Sequence, residues 1–442
     1  MSAVQEMRSV RTTAMIMAGG QGSRLSILSE KRAKPAVPFG GIYRIIDFTM
    51  SNVMHSQIPV VGICTQYKPY SLTDHLSIGE AWGFARRGHV AKVLPPYTGE
   101  EDSDWYAGTA DAIYQNLGFI ERCQPDLVLV LSGDHIYKMD YRPLLAFHRR
   151  RRAALTVVCQ EVPVEETSRF GIVETDGEDR VRGFQEKPKD SPRSNLANLG
   201  IYVFEAAVLA DRLRADVHNK ESSHDFGRDI IPAMIESAPC YAYRFSGYWR
   251  DVGTCRSYWE AHMDMLDPRS GLEIDRWEVY TATKSLYDGC LVAARIRSGG
   301  RVSRSVTSCG CQIEGEVRHS VLSPGVYVGP GSVVESSVLL NGVQIGRDCI
   351  VRGSVIDKQS IIAERCVVGE ESAQVKDKTD EESLITVVGK QVRLPADYMV
   401  CPGCAIPFGT GPETLPPPPL RPRSEGPVAV RSVRPGGRSR RR

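Results

Sequence analysis

The sequence predicts an α/β fold, in which a Rossmann-like, doubly wound mixed sheet is followed by a left-handed parallel β-helix. Two observations support this prediction. Short apolar runs alternate with segments of helical length as far as Asp267, and aliphatic residues then recur every five or six positions between about 297 and 370. The first pattern is typical of a mainly parallel sheet, and the second of a hexapeptide repeat.

Four apolar runs in the first region are predicted to be buried strands. These runs begin at Ala14, Val60, Leu127 and Ala154. In a doubly wound sheet, ligands bind at the carboxyl ends of the strands. The loops after Ala18, Cys64 and Leu131 are therefore the expected binding loops.

The second region repeats a unit of 17 residues. The dipeptide Ser-Val recurs at 320–321, 337–338 and 354–355. Three short strands form one coil of a β-helix, and each strand presents one aliphatic side chain to a narrow interior. The aliphatic residues with this spacing are Val328, Val334, Leu339, Ile345, Val351, Ile356, Ile362 and Val368.

These patterns divide the chain of 442 residues into four parts. We expect a catalytic domain over 1–268, a linker over 269–296, the β-helix over 297–408 and a disordered tail over 409–442. Residues 411–442 contain eight Arg, two Glu and many Pro, with almost no large apolar side chains. Such a composition does not support a packed core.

Charge and hydropathy exclude some classes of function. The net charge of +2 becomes mildly negative once the basic tail is set aside, which argues against a general nucleic-acid binder. The longest aliphatic run, Leu127–Leu131, is far shorter than the roughly 20 residues that span a membrane. The chain also begins without the apolar core of a signal peptide, so we expect a cytoplasmic protein.

The loop after the first strand is suited to a phosphate. Glycines at 19, 20 and 22 let backbone N–H groups close around an anion, and Ser23 and Arg24 follow them. No Gly-Lys-Ser/Thr follows, so this is not a Walker A loop. Lys31, Arg32 and Lys34 add positive charge just downstream, as polyphosphate chemistry requires.

Two carboxylates are candidate ligands of Mg²⁺. Asp134 directly follows the strand that begins at Leu127, and Asp251 lies in the string YWRDVG. Mg²⁺ usually binds one or two carboxylates together with phosphate oxygens. A helix cap or a turn is the alternative role for each Asp. Glu186 and Lys187 could bind a sugar phosphate, and a surface ion pair is the alternative for them.

These motifs, in this order, resemble those of the ADP-glucose pyrophosphorylases, also called glucose-1-phosphate adenylyltransferases. The resemblance covers about residues 14–370. The strings that carry it are AGGQGSRL with Lys34-Pro35, KRAKPAVPFGGIYRIIDFTMSN, WYAGTADA, SGDHIYKMDY, FQEKP, LGIYVF, SSHDFG and YWRDVG.

The resemblance implies that ATP and glucose 1-phosphate react to give ADP-glucose and pyrophosphate, with Mg²⁺ as cofactor. It implies that Arg24, Lys34 and Asp134 are catalytic, that Asp134 and Asp251 hold the metal, and that Lys31 and Arg32 bind an effector. For ATP it implies contacts with Gly19, Gly20, Gly22, Ser23, Gln66, Gly108 and Thr109. For glucose 1-phosphate it implies contacts with Tyr106, Gly171, Glu186, Lys187, Asn198 and Asp225. Family members are typically homotetramers regulated by glycolytic metabolites.

The sequence leaves three alternatives open. The same fold could use UTP or dTTP, because the choice of base and sugar depends on few contacts. The chain could be a non-catalytic regulatory subunit, although Arg24, Lys34, Asp134 and Lys187 are all retained. The β-helix could carry an acyltransferase site, although only His319 lies in the repeat. One departure from the family is Asn198, where many members have Ser.

Overall fold

The computed structural model describes residues 10–20, 22–96, 105–274, 277–282, 292–369 and 385–422. Within these ranges, no helix has both the length and the apolar composition that a membrane crossing requires.

The first region contains thirteen strands in the part of the chain described. They are β1 (Thr12–Met17), β2 (Pro38–Phe39), β3 (Tyr43–Arg44), β4 (Val60–Cys64), β5 (Val90–Leu94), β6 (Leu127–Ser132), β7 (His135–Tyr137), β8 (Leu155–Glu161), β9 (Gly171–Thr175), β10 (Val181–Glu186), β11 (Leu196–Glu205), β12 (Cys240–Arg244) and β13 (Trp249–Asp251).

Eight α-helices of the described chain accompany these strands. They are α1 (Ile45–His55), α2 (Tyr70–Leu76), α3 (Thr109–Tyr114), α4 (Leu117–Cys123), α5 (Tyr141–Arg151), α6 (Ala206–Asp216), α7 (Ile231–Ser237) and α8 (Cys255–Asp264). Shorter 3₁₀ segments occur at Ser23–Ser29, Lys34–Ala36, Glu80–Trp82, Val164–Arg169 and Pro412–Thr414, and a π-helical turn at Phe226–Ile230.

The main sheet has nine strands and is mixed, which confirms the predicted fold class. Its central path runs β10-β9-β11-β6-β1-β4-β5, and β8 pairs with both β11 and β12. Strands β6, β1, β4 and β5 are parallel, whereas β11 is antiparallel to β6. All four apolar runs noted in the sequence lie in strands of this sheet, namely β1, β4, β6 and β8.

The second region is a parallel β-helix, as the hexapeptide spacing predicts. Its strands are β14 (Arg295–Ile296), β15 (Arg301–Ser303), β16 (Val306–Thr307), β17 (Gln312–Ile313), β18 (Glu316–Arg318), β19 (Val321–Leu322), β20 (Tyr327–Val328), β21 (Val333–Glu335), β22 (Val338–Leu339), β23 (Gln344–Ile345), β24 (Ile350–Arg352), β25 (Ser354–Ile356), β26 (Ile361–Ile362), β27 (Val367–Val368), β28 (Thr386–Val388), β29 (Arg393–Leu394), β30 (Met399–Val400) and β31 (Ala405–Ile406). They form three sheets of six parallel strands, and every third strand belongs to the same sheet.

The repeat has a clear physical basis in the interior of the β-helix. The eight aliphatic residues predicted from the spacing are all at most 1% exposed. The repeated serines form a ladder: the hydroxyl of Ser320 accepts a hydrogen bond from the backbone N–H of Ser337, and the hydroxyl of Ser337 accepts one from Ser354. Successive coils therefore stack in register at steps of 17 residues, with no buried hydroxyl of this ladder left unbonded.

The step is not 17 residues throughout: paired residues are 15 apart between β15 and β18, 18 apart between β28 and β31, and 32 apart between β26 and β29. Val392 donates its backbone N–H to the hydroxyl of Ser360, 32 residues earlier. Strands β28, β29 and β30 thus continue the three sheets in register, although residues 370–384, outside the described part of the chain, come between β27 and β28.

The two regions share an apolar cluster, which we call the interface cluster. The first region contributes residues such as Leu25, Leu28 and Tyr258, and the β-helix contributes Val355 and Val387. The segment predicted as a linker also packs here, because Leu272 and Val279 are buried in the same cluster. Strand β14 begins at Arg295, two residues before the predicted start of the β-helix.

The prediction of a disordered tail from 409 onwards is wrong for residues 409–422. Leu420 is only 5% exposed, and it exchanges backbone hydrogen bonds with Met399 and Cys401. The hydroxyl of Tyr398 donates to the carbonyl of Pro416. Residues 409–422 are packed against the β-helix because Leu420 covers apolar side chains of its last coil. Residues 423–442 lie outside the described part of the chain.

Candidate active site

The predicted binding loops meet at one end of the main sheet, where β1, β4 and β6 end. Two adjoining cavities open there, a first cavity of about 380 Å³ and a second cavity of about 230 Å³. Both are lined by Met17, Lys34, Thr109, Ser132, Asp134 and Asp225. The two cavities are therefore parts of one cleft, and two of the predicted catalytic residues, Lys34 and Asp134, lie where they join.

Lys34 connects the two predicted metal ligands. Its ammonium lies 2.8 Å from Oδ2 of Asp134 and 2.9 Å from Oδ1 of Asp251. Pairing between β7 and β13 brings the two carboxylates together, because Asp251 stands opposite His135 in the register. The hydroxyl of Ser132 donates to Oδ1 of Asp134 at 2.6 Å and fixes its orientation.

All three groups of this cluster are held in their charged forms. Burial opposes the charge on Lys34, but attraction to Asp134 and Asp251 raises its pKa above the ordinary value. Burial likewise opposes the charge on each Asp, but Lys34 lowers the pKa of Asp134 and of Asp251. The site therefore holds two ionised carboxylates and one ammonium group at the cleft.

The donor set of this cluster fits a divalent cation. One oxygen of Asp134 and one of Asp251 converge on a single ammonium, so both already point towards one position. Mg²⁺ binds well to one or two carboxylates when phosphate oxygens and water complete its shell. No larger group of His, Cys, Asp or Glu with metal-ligand geometry occurs among the described residues.

The glycine loop lies along the first cavity because its glycines permit close packing. A Cβ atom on Gly19 would lie 3.1 Å from Cβ of Gln66. Gly22 has φ of +64°, and a Cβ atom there would lie 3.1 Å from Cβ of Lys34. The backbone of the loop can therefore approach a ligand that Lys34 also reaches.

The remaining residues of this loop are placed as follows. Gly19 and Gly20 line the first cavity, and Arg24 lines the second cavity. Arg24 is exposed at the start of the 3₁₀ segment that follows the loop. The side chain of Ser23 lies outside the described part of the structure.

The far wall of the first cavity is built by the segment after β4 and by the segment that leads into α3. Gln66 and Tyr106 exchange hydrogen bonds between the side chain of Gln66 and the backbone of Tyr106. Gly108 has no room for a side chain, because a Cβ atom would lie 2.2 Å from the carbonyl oxygen of His224. The hydroxyl of Thr109 donates to Asp225 at 2.9 Å.

Tyr106 does not fit its predicted contact with glucose 1-phosphate. It lines the first cavity and not the second, which holds the other residues predicted for that substrate. Its hydroxyl donates to the carbonyl of Leu94 and accepts from Asn116 inside the protein. The structure does not support this contact, because the polar end of Tyr106 is turned away from the cleft.

The second cavity is lined by the remaining predicted residues from β9, β10 and β11. Lys187 is half exposed, and its ammonium lies 3.3 Å from Oε1 of Glu186. Its backbone has φ of +47° and donates to the carbonyl of Phe170, which places the side chain at the cavity edge. Gly171 stands opposite Glu186 in the register and leaves room for Phe184.

Asn198 and Asp225 have well-defined partners in the second cavity. The amide of Asn198 donates to the hydroxyl of Tyr202 at 2.8 Å and accepts from the N–H of Gly200 at 3.0 Å. Asp225 caps the π-helical turn by accepting from the backbone of Gly227 and Arg228. Both side chains are thereby fixed in orientation.

Lys31 and Arg32, the predicted effector residues, lie apart from both cavities. The ammonium of Lys31 is 4.6 Å from the ring centroid of Phe408, and Arg32 forms a buried ion pair with Asp357. Both partners belong to the second region, so these two residues lie where the two regions meet.

Several residues of the second cavity were not predicted from the sequence, and three of them have side chains suited to contacts with a polar ligand. His135, Trp249 and Arg169 all line it. Nε2 of His135 lies 3.4 Å from Asp134, and its ring packs edge-on against Trp249. The strings SGDHIY and YWRDVG contain the first two residues and could have indicated them, whereas no motif indicated Arg169.

Comparison with known proteins agrees with this arrangement. A family model described as nucleotidyl transferase matches residues 13–268, and one described as GlmU-like, C-terminal hexapeptide matches residues 290–388. The glucose-1-phosphate adenylyltransferase of Thermotoga maritima is 48% identical over 408 residues, which is 91% of this chain and 95% of the relative.

Two further relatives carry the same name. The protein of Clostridium acetobutylicum is 49% identical over 327 residues, covering 73% of this chain and 84% of the relative. The protein of Desulforamulus reducens is 43% identical over 396 residues, which is 89% of this chain and 97% of the relative. The fold, the cleft and these similarities together place the chain: it belongs to the nucleotidyl transferase family and, within it, to the glucose-1-phosphate adenylyltransferases.

Proposed function

We propose that this protein joins ATP and glucose 1-phosphate to form ADP-glucose and pyrophosphate, for glycogen or starch synthesis. The observation that carries the proposal is the Lys34–Asp134–Asp251 cluster at the junction of the two cavities. A nucleotide triphosphate in the first cavity and a sugar phosphate in the second would bring the reacting phosphates to this cluster.

The reaction needs positioning and charge neutralisation and no covalent intermediate on the protein. A phosphate oxygen of glucose 1-phosphate attacks the α-phosphorus of ATP, and the bond from that phosphorus to the β-phosphate oxygen breaks. The glycine loop holds the triphosphate through backbone N–H groups, and Arg24 and Lys34 neutralise the charge that develops on the leaving pyrophosphate. Lys187 binds the sugar phosphate, while Glu186 and Asp225 accept hydrogen bonds from sugar hydroxyls.

We propose Mg²⁺ as the metal, held by Asp134 and Asp251. When bound, Mg²⁺ would supply positive charge to the phosphate oxygens of both substrates. The family membership supports two further proposals, namely a homotetramer and regulation by glycolytic metabolites. Both substrates are intracellular metabolites, which supports a cytoplasmic location.

The test is pyrophosphate release by the purified protein with Mg²⁺, glucose 1-phosphate and each nucleoside triphosphate in turn. We expect release with ATP and a rate at least tenfold lower with UTP, dTTP, CTP or GTP. Release with UTP or dTTP instead would retain the reaction type and reject the ADP-glucose assignment. No release with any pair would leave the non-catalytic subunit as the better explanation.

Regulation and assembly are tested on the same preparation. Fructose 1,6-bisphosphate, fructose 6-phosphate, pyruvate and AMP are each added to the ATP reaction, and at least one should change the rate. Light scattering after size exclusion should give the mass of four chains of 48.8 kDa.

A further inference from the structure

An ion pair between the two regions is buried to an unusual degree. Arg32, in the first region, pairs with Asp357, which directly follows β25 of the β-helix. Their side chains are 8% and 1% exposed. The other oxygen of Asp357 accepts the backbone N–H of Lys358 at 2.7 Å, so the carboxylate is held in one orientation.

The stability of the interface does not by itself explain this pair. Removing two charges from water costs about as much as their attraction returns, and apolar side chains of similar size are often as stable. Nη1 of Arg32 is also buried and has no hydrogen-bond partner among the described residues, which adds to the cost. The surrounding interface cluster, with Leu28 and Val355, already joins the two regions through apolar contacts.

The position of Arg32 in the chain indicates a second role. Three residues before it, the hydroxyl of Ser29 donates to the carbonyl of Gly22 in the glycine loop at 2.7 Å. Two residues after it, Lys34 packs against Gly22 and binds Asp134 and Asp251. The segment 29–34 therefore contacts both the phosphate loop and the metal carboxylates.

Besides the ion pair, two weaker contacts join the same segment to the β-helix. Glu30 accepts the backbone N–H of Phe408 at 3.5 Å, and Lys31 lies over the ring of Phe408; both contacts are exposed to solvent. The Arg32–Asp357 pair is thus a buried polar contact that fixes this segment on the β-helix side.

We propose that Asp357 is a positioning residue for nucleotidyl transfer: through Arg32 it fixes the segment that sets Lys34 between Asp134 and Asp251 and supports Gly22. The β-helix then contributes to the rate of the basal reaction by way of one carboxylate. This inference rests on the proposed function, because the rate it concerns is that of pyrophosphate release.

The decisive variant replaces both members of the pair, as Arg32→Met with Asp357→Leu, and all assays omit effectors. The apolar pair leaves no unpaired buried charge, so we expect a thermal midpoint within a few degrees of the parent. We expect kcat to fall at least tenfold, because Lys34 is no longer held in place. If the pair only joins the two regions, the variant will keep kcat within twofold, and that result would overturn the proposal.

A matched control removes an exposed ion pair from the same β-helix. Arg365→Met with Asp397→Leu breaks a pair whose Nε and Oδ1 atoms are 2.7 Å apart, with side chains 47% and 64% exposed. This double variant should keep kcat within twofold of the parent. An equal loss of kcat in both double variants would show a general effect of altering the β-helix and would also overturn the proposal.

A second variant decides the question if the apolar pair does not fold. Asp357→Glu keeps the charge but moves the carboxylate by one methylene group, so we expect at least a threefold loss of kcat without loss of the thermal midpoint. An unchanged kcat would then count against the proposal. Failure of the proposed function is a separate result, because the parent protein itself would release no pyrophosphate.

Discussion

The two regions of this molecule use buried polar groups in opposite ways. In the β-helix, the hydroxyls of Ser320 and Ser337 each satisfy a backbone group of the neighbouring coil, and the rest of the interior is mainly aliphatic. In the cleft, Lys34 and two carboxylates remain ionised although they are largely buried. The polar groups of the β-helix therefore favour stability. The cleft instead retains buried charges at a cost in free energy, because water would solvate them better.

The largest expected effect is on rate, in the cleft. Asp134→Asn should lower kcat by about 10³-fold, because it removes a charge that supports the metal and orients Lys34. The thermal midpoint should change by only a few degrees, since Asn has the same shape. Steady-state pyrophosphate release and thermal unfolding measure the two quantities.

Asp140→Asn is the matched control for this change. Asp140 caps α5 by accepting the backbone N–H of Arg142, and Asn is an equally good cap. Its kcat should equal that of the parent. A loss of less than tenfold in Asp134→Asn would contradict the assignment of Asp134.

The next effect is on stability, in the β-helix. Ile345→Ala should lower the free energy of unfolding by about 2–5 kcal/mol, because it leaves a cavity in a closely packed interior. The kcat of the folded protein should stay within twofold. Ile361→Ala is the control, since Ile361 is 40% exposed, and it should lower the thermal midpoint much less. A similar shift in both variants would contradict the inward placement of Ile345.

A smaller effect is expected on substrate affinity, in the second cavity. Lys187→Ala should raise the apparent KM for glucose 1-phosphate about 10- to 100-fold, the loss typical of one charged hydrogen bond. The KM for ATP should change less than threefold. Lys189→Ala, two residues away and exposed, should change neither value. Equal increases in both KM values for Lys187→Ala would reject its assigned role.

The stability of the first region should depend on pH, because this region buries a neutral histidine. Burial lowers the pKa of His262 to about 4, whereas an unfolded His titrates near 6.5. Its Nε2 accepts the N–H of Gly40 at 3.1 Å, a bond that the protonated ring cannot make. The unfolded chain therefore binds a proton first as the pH falls.

The contribution of His262 to stability should thus decrease as the pH falls from about 6.5 towards 4, by about 2 kcal/mol at pH 5. Burial also lowers the pKa of His148 to about 4, so His148 should add a further loss over the same range. Thermal midpoints at pH 7 and pH 5 measure this loss. The pH dependence should be weaker in His262→Gln and unchanged in His218→Gln, where the side chain is exposed. A parent and His262→Gln with the same pH dependence would show that another group is responsible.

The β-helix could be predicted in detail because its contacts are local. Each inward-facing residue contacts its counterpart one coil away. A repeat of 17 residues in the sequence therefore indicates both where the strands lie and which side chains are in the interior. The strands β1, β4 and β6 could also be predicted, since buried parallel strands appear as continuous apolar runs.

The cleft could be predicted only in part, because its geometry depends on distant segments. Lys34 meets Asp134 and Asp251 across 100 and 217 residues, and no local pattern indicates that pairing. The chain between Thr109 and Cys123 is long enough for one helix, but it forms two, α3 and α4. Between them, the side chain of Asn116 donates a hydrogen bond to the carbonyl of Ala112. This bond competes with the backbone hydrogen bonds that would continue the helix.

The long step between the fifth and sixth coils has a consequence for how such proteins diversify. Ser360 and Val392 remain paired although they are 32 residues apart, whereas the equivalent pair Ser320 and Ser337 is 17 residues apart. A segment of quite different length can therefore be inserted at this corner without altering any strand of the stack. Evolution can change the length of the chain between β27 and β28, and protein engineers can graft a peptide or reporter at the same point, while the interior of the β-helix is left unchanged.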